Sequence, residues 1–580
     1  MNTQDADFTN IADTLRQRAQ QNPERIVMRC PGKDGRYQVE ISTGELDARS
    51  THIAAGLYRL GIRRGMRCVV MVRPTPAFFL VMFALMRMGA VPVLVDPGID
   101  KRALKQCLAE AAPDAFIGIP LAMFARLVLG WARGVKYRIS TGSRAWFADT
   151  TLAAIEREGA ANPQDFGSTA TDDPAAILFT SGSTGVPKGV LYRHRHFLAQ
   201  IQMLRDAFGI APGGVDLPTF PPFALFAPAL GLTSIIPDMD PTQPAKADPR
   251  KLHAAIRRFG VSQMFGSPAL MRVLAEHGEP LPGVMRATSA GAPVPPDVVE
   301  KLLRLMPEGG QLWTPYGATE CLPVAVIEGR ELITLRARTE AGAGTCVGRP
   351  VPGNEVRIIA ITDEAIGDWR QAQEVPQGVV GEITVAGPVA TDSYFNREAQ
   401  TRLAKIRETL PDGSSRIVHR MGDLGYLDGE GRLWFCGRKS QRVVLAAGGT
   451  LCTEQIEPVF NTHPDVARTA LVPVPVAAQK GGLELNQGDA GQLRQNADTP
   501  AGNAACLCVE LRAGVAASEW PRIREELQKT ADGQVHTARV THFLHYPGSF
   551  PVDIRHNAKI GREKLAEWAK QQLPKMDRLQ

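Results

Sequence analysis

The chain has 580 residues, 44% apolar and 22% charged, too long for one hydrophobic core and ordinary for a soluble globular protein built of several units. A net charge of +6 over that length, with no zinc-finger spacing and no long basic run, gives no support for a nucleic-acid partner. The nine cysteines lack any C-x-x-C pair and the polar, acidic N-terminus lacks the order of a signal peptide; with no apolar run of membrane-spanning length, these features predict reduced thiols in a cytoplasmic protein without a transmembrane segment.

Residues 8–22 read as an opening helix, with Ile11, Ala12, Leu15 and Ala19 on one face and Asn22-Pro23 stopping it. A second helical pattern ends at Leu60-Gly61, the strand 67–72 follows, and a helix over 76–88 leads into residues 89–97, another strand ending in a turn. Strands alternating with helices predict a parallel sheet covered on both faces. Residues 116–133 are expected to form a helix packed on the core or covering a ligand site, with a membrane or partner surface as the alternative that their amphipathic look leaves open. Then comes Phe179-Thr180-Ser181-Gly182-Ser183-Thr184-Gly185-Val186-Pro187-Lys188-Gly189-Val190, behind an apolar strand. Its glycines, hydroxyls and lysine describe a backbone that bends closely round an anion and offers N–H, O–H and ammonium donors. It is not the P-loop, which would need Gly at Pro187 and Ser or Thr at Gly189.

Beyond it, His194 and His196 sit among cations, which disfavours a bound metal and predicts a solvated or structural role. Residues 216–244 are rich in Pro and Phe. Met264-Phe265-Gly266-Ser267-Pro268, Ser289-Ala290-Gly291-Ala292-Pro293 and Trp313-Thr314-Pro315-Tyr316-Gly317-Ala318-Thr319-Glu320 each read as a strand end with small residues, where a flat ring can lie against backbone. Residues 348–353 and 381–387 read as antiparallel hairpins of a small barrel, closed by Met421-Gly422-Asp423 and a plain turn at Asp428-Gly429. Cys506 and Cys508 share a strand face and are expected to pack in a core, and residues 479–500 read as a mobile surface loop.

The loop from Thr180 to Gly189, with Tyr316 to Glu320, Asp423, Cys436-Gly437-Arg438-Lys439-Ser440 and the terminal run 551–562, resembles the adenylate-forming enzymes, the superfamily of acyl-CoA synthetases, peptide-synthetase adenylation domains and beetle luciferases. That resemblance implies an α/β fold: a large N-terminal domain, 1–438, of two βα-layered sheets plus a small β-barrel, then a small mobile α+β lid, 439–580, with a hinge near Ser440. It implies ATP and Mg²⁺, with a carboxylic acid activated as an acyl adenylate. Thr180, Ser181, Gly182, Ser183, Thr184, Gly185 and Lys188 would hold the phosphates. Gly291, Ala292 and Pro293 would sandwich the adenine with Tyr316, Gly317 and Ala318, Thr319 would face a phosphate, and Glu320 with Thr184 would hold Mg²⁺. Asp423 and Arg438 would take the ribose hydroxyls, and Lys559 would be the catalytic lysine, beside Lys188, Thr319 and Glu320. Phe223, Ala224, Phe226, Phe265 and Gly266 would line the acyl pocket.

Ala224 stands where many relatives have a histidine that gates the thiol tunnel, and residues 216–248 look most like the β-lactone synthetases of bacterial olefin biosynthesis. In that subgroup the substrate is a 2-alkyl-3-hydroxy long-chain fatty acid whose own hydroxyl closes the lactone, and relatives assemble with a 2-alkyl-3-keto acid reductase and a β-lactone decarboxylase. A fatty acyl-CoA synthetase or acyl-AMP ligase shares every ATP-binding residue and is the alternative. An inactive scaffold is disfavoured by the intact set of Lys188, Glu320, Asp423, Arg438 and Lys559, and a serine hydrolase by the lack of a G-x-S-x-G elbow. No histidine is singled out as a base for the hydroxyl.

Overall fold

A computed structural model describes residues 8–32, 34–96, 99–143, 147–180, 187–476, 483–485, 493–495, 502–551 and 560–576. Its contacts divide the chain into two units: residues 1–330, 348–374 and 384–421 in the first, and 331–347, 375–383 and 422–580 in the second. The division agrees with a large N-terminal and a smaller C-terminal domain of mixed α/β structure.

The first unit begins with α1 (Ile11–Gln21), β1 (Ile26–Pro31), β2 (Tyr37–Ser42) and α2 (Thr43–Leu60). It then alternates β3 (Arg67–Met71), α3 (Pro76–Arg87), β4 (Val91–Val95), α4 (Lys101–Ala111), β5 (Ala115–Gly118) and α5 (Pro120–Leu129). After β6 (Tyr137–Ser140), β7 (Thr150–Thr151) and α6 (Leu152–Ala161) come β8 (Pro174–Thr180), β9 (Lys188–Arg193) and α7 (His194–Phe208). Strands β3 to β9 make one sheet in the order β7-β6-β5-β3-β4-β8-β9, parallel except for the β8/β9 hairpin. Alternation along β3 sends Cys68 and Val70 to one core and Val69 to another, so the sheet is covered on both faces.

A second sheet takes in β10 (Val215–Pro218), β11 (Thr233–Ile235), β12 (Gln263–Gly266), β13 (Arg286–Ser289), β14 (Gln311–Ala318) and β15 (Cys321–Glu328). Part of its order is β15-β14-β13-β12-β10-β11-β1-β2, parallel from β14 to β1 and antiparallel in the β15/β14 and β1/β2 pairs. The register sets Pro218, Phe265, Thr288 and Trp313 in one row, and Asp216, Gln263, Arg286 and Gln311 in the row two residues before it on the same face. Ser267 caps the helix Pro268–His277 by accepting from the Leu270 N–H, with Pro268 in the first turn, which is why Gly266-Ser267-Pro268 ends a strand and starts a helix.

In the second unit, Val466–Val476, Gly502–Leu511 and Val540–His545 form a three-stranded sheet. One face packs on the helices Thr453–Phe460 and Trp520–Asp532 through Ile456, Phe460, Ile523 and Leu527; the other packs on Arg562–Met576 through Leu565 and Ala569. Cys506 and Cys508 lie together in that second core, as their spacing predicts.

Several expectations change. Residues 116–133 are not one helix: the first part is β5, and α5 turns Leu121, Phe124 and Val128 to solvent instead of packing them on the core. The small barrel is not confirmed, since the described pairings form open ladders. Asp428 is more than a turn: its carboxylate accepts from Trp434 Nε1 and Arg432 Nε, both at 2.9 Å. Burial pushes its pKa up, but those hydrogen bonds win and hold it at about 2. Within the surface loop predicted at 479–500, Leu483–Leu485 and Leu493–Gln495 pair as antiparallel strands, and the rest lies outside the described residues.

Candidate active site

The phosphate side begins at the β8/β9 hairpin, where Thr180 and Lys188 are register partners. Ser181, Gly182, Ser183, Thr184 and Gly185, between them, lie outside the described residues. Gly189 faces Phe179 across the hairpin, and a Cβ there would come within 2.8 Å of the ring, so only glycine lets the strands close at this point.

A strap, residues 391–395, ties this hairpin to the end of the second sheet. Phe395 N–H donates to Gly189 O at 2.8 Å and Leu191 N–H to Ser393 O at 3.2 Å. At the other end of the strap, Thr391 donates to Glu320 O from its N–H at 2.9 Å and from its hydroxyl at 3.0 Å. Tyr394 then joins the charged groups: its hydroxyl donates to Glu320 Oε1 at 2.6 Å, while Lys188 Nζ lies 5.0 Å from its ring centroid. Tyr192 donates its hydroxyl to Thr319 O at 2.5 Å. Beneath the strap, Lys405 is buried and donates to Thr391 O and, at 3.2 Å, to Thr391 Oγ1. Burial lowers its pKa to about 8, against the opposing pull of Glu320.

On the adenine side, Gly291 adopts φ +102°, a conformation that favours glycine, just past the end of β13. Tyr316, Gly317 and Ala318 end the neighbouring parallel strand β14, so the two small-residue segments lie at adjacent strand ends of one sheet. On the acyl side, β10 runs into a 3₁₀ turn, Pro221–Phe226. There the half-buried Phe223 ring packs edge-on against Phe265, centroids 4.5 Å apart, with Phe220 at 5.0 Å. Ala224 and Phe226 are buried in the main core. On the pocket strand itself, burial raises the Asp216 carboxyl to about 7, with Gln263 opposing. In the second unit, Asp423 and Arg438 are register partners joined by an ion pair of 2.9 Å, with the Asp423 side chain 3% exposed and that of Arg438 33% exposed. Among the described residues no group of three His, Cys, Asp or Glu could hold a metal. A Mg²⁺ of the kind expected here is held by one or two carboxylates and substrate phosphates, and Glu320 suits it: no described hydrogen bond engages Oε2.

Residues 15–395 match the family described as AMP-binding enzyme. The chain belongs to the AMP-binding enzyme family. This AMP-binding enzyme is 61% identical over 568 residues to the olefin beta-lactone synthetase of Xanthomonas campestris, covering 97% of this chain and 98% of that one. It is 62% identical over 572 residues to the olefin beta-lactone synthetase of Stenotrophomonas maltophilia, covering 98% and 99%. Among solved structures, the amide bond synthetase McbA from Marinactinospora thermotolerans shares the fold with a TM-score of 0.73 at 21% identity, covering 96% of this chain and 99% of that one.

In the AMP-binding enzyme's first unit, the fold gathers Lys188, Thr319 and Glu320 round the strap, and Phe223 and Phe265 round the 3₁₀ turn. Lys559 lies outside the described residues. Thr391, Tyr394 and Lys405 escaped the sequence reading. The one signal was an aromatic closely following the Gly381–Ala386 strand, and nothing local marks Lys405, whose role arises from a neighbour 85 positions earlier. His194 and His196 are structural but not solvated: burial lowers them to about 4 and about 3, and His196 Nδ1 accepts from the Arg193 N–H. No helix among the described residues is long and apolar enough to cross a membrane.

Proposed function

We propose that the chain activates a 2-alkyl-3-hydroxy long-chain fatty acid with ATP and closes it to a β-lactone. In the first half-reaction the substrate carboxylate attacks the α-phosphorus and pyrophosphate leaves. In the second the β-hydroxyl oxygen attacks the acyl carbon, AMP leaves and the hydroxyl proton is lost. Near-full-length identity above 60% to two olefin beta-lactone synthetases is the observation that carries this reading.

Adenylation asks the protein mainly for in-line positioning and charge stabilisation. Lys188 and the loop donors Thr180 to Gly185 would hold the β- and γ-phosphates, and Lys559 would span the carboxylate and α-phosphate, placing its charge where negative charge gathers. Tyr394 orients the Glu320 carboxylate, which with Thr184 would hold Mg²⁺; the bound ion would neutralise phosphate charge. Gly291 to Pro293 and Tyr316 to Ala318 would take the adenine, and Asp423 with Arg438 the ribose, since a carboxylate can accept from both hydroxyls. The lid is assigned to 439–580, pivoting near Ser440. Ring closure is intramolecular, so no thiol need enter, and the aromatic pair Phe223–Phe265 favours exclusion of water from the mixed anhydride. Asp216 lies on the same sheet face as Phe265, in the row two residues before it, and burial raises its carboxyl to about 7; we assign it as base for the hydroxyl. We place the enzyme in the cytoplasm on its nine buried thiols, beside a reductase that supplies the hydroxy acid and a decarboxylase that consumes the lactone.

Incubation with ATP, Mg²⁺ and a racemic 2-alkyl-3-hydroxy acid, without coenzyme A, should yield lactone, AMP and pyrophosphate in equal amounts. Thioester with added coenzyme A and no lactone in its absence would overturn the assignment.

A further inference from the structure

Helix α5 buries one apolar side chain, Met123, in the core. Its arginine also turns inward: Arg126 is 6% exposed and lies 6.0 Å from the Phe116 ring centroid. The other large apolar side chains turn outward, with Leu121 66%, Phe124 48%, Leu127 43%, Val128 62% and Leu129 37% exposed. Leu121, Phe124 and Val128 recur at i, i+3 and i+7 and therefore form one stripe. A contiguous outward stripe of this kind marks an interaction surface, unlike a singly exposed leucine.

The charge round the stripe has one sign. Residues 115–148 contain Arg126, Arg133, Lys136, Arg138 and Arg144 and no Asp or Glu. Arg133 and Lys136 are exposed just beyond the helix. Helix α4, which packs into the same core cluster, adds exposed Lys101, Arg102 and Lys105. The nearby acids are engaged: Asp100 caps α4, Glu110 pairs with Arg397 at 2.7 Å, Asp149 pairs with Arg138, and Asp114 accepts from the Arg67 N–H at 2.9 Å.

We propose that α5 docks the enzyme on an anionic lipid bilayer, its Leu121–Phe124–Val128 stripe entering the interface and the lysines and arginines of α4 and of the segment after α5 meeting headgroup phosphates. An apolar stripe flanked by exposed cations, with the neighbouring acids engaged elsewhere, is the pattern of helices that lie in a membrane surface. A protein partner is a poorer match, because protein interfaces surround their anchors with a polar rim that pairs hydrogen bonds and charges of both signs. The inference stands apart from the lactone reading, since it uses no residue of the candidate active site.

The test is co-sedimentation of the full chain with vesicles of phosphatidylcholine alone or mixed with phosphatidylglycerol, at low and high salt. The wild type should pellet with the anionic vesicles and be released by salt. The double variant Phe124→Asp/Val128→Asp should partition at least tenfold more weakly. Lys101→Glu/Lys105→Glu should lose the dependence on phosphatidylglycerol while keeping the wild-type melting temperature. A wild type that stays in solution with every vesicle, or a Phe124→Asp/Val128→Asp variant that pellets like wild type, overturns the proposal. So does a lipid-free oligomer that this variant converts to monomer, which would assign the stripe to a second copy of the chain.

Discussion

Around Glu320 the neighbours are polar and tied to one another: Tyr394 on its carboxylate, Thr391 on its carbonyl, Lys188 over the Tyr394 ring, and Lys405 buried beneath. Around Ala224, in the same unit, they are rings and aliphatic carbon: Phe223 against Phe265 and Phe220, and Phe226 in the core. The first arrangement aims charges through a backbone strap, which suits a step whose barrier lies in phosphate charge. The second packs carbon against carbon, which under the proposed reaction suits a step that must keep water from the mixed anhydride.

The largest effect is expected from Lys559→Ala, at the lysine proposed to span the carboxylate and α-phosphate. It should lower adenylate formation about 10²- to 10³-fold, while AMP binding by calorimetry stays close to wild type. An unchanged pyrophosphate-release rate would remove Lys559 from the mechanism. Next is Tyr394→Phe, which deletes the 2.6 Å bond to Glu320. A hydrogen bond to a charged group contributes about 1.5–3 kcal/mol, so adenylation should slow roughly 10- to 100-fold. Because Tyr394 acts through Glu320, the Mg²⁺ concentration for half-maximal rate should rise as well; a slower rate at an unchanged Mg²⁺ requirement would mark the tyrosine as merely structural.

Ala224→His probes the apolar side. Overpacking a site that is 1% exposed costs about 1–3 kcal/mol, and the lactone-to-pyrophosphate ratio should fall while pyrophosphate release falls less. Equal losses in both would mean that Ala224 only fills space. Asp216→Asn should likewise lower lactone yield more than pyrophosphate release, if its carboxyl takes the hydroxyl proton.

The smallest effects are on stability. His194, lowered to about 4 by burial, refuses a proton that the unfolded chain takes near pH 6.5, so its contribution is complete above pH 6.5 and is lost as pH falls toward 4. At pH 5 the loss is about 2 kcal/mol, and His194→Met should flatten the fall in melting temperature between pH 7 and 5. Asp216 has the opposite sign. Raised to about 7, it keeps its proton where the unfolded chain ionises, so its contribution is complete below pH 4 and fades as pH rises to 7. Asp216→Asn should therefore raise the melting temperature at pH 8 by more than at pH 4. Parallel curves for wild type and variant would dismiss either titration.

Much of the first unit could be read from the chain, because periodicity and stop signals are local: α1, α2 and α3 fall where Asn22, Gly61 and Met88 end their patterns. The charged residues of the site stood out because they sit in dense runs of small and hydroxyl residues. Residues 116–133 misled because an apolar run reads alike as buried strand or helix, and only the sheet decides which.

The order of strands and helices, the two glycine-framed strand ends and the adenylating chemistry all follow from residues adjacent in the chain, since each depends on local backbone preference or on a contiguous motif. The link from Lys188 through Tyr394 to Glu320, the burial of Lys405 and the outward face of α5 do not. They arise where segments far apart in sequence meet, and burial there sets pKa values and exposure that no single segment carries.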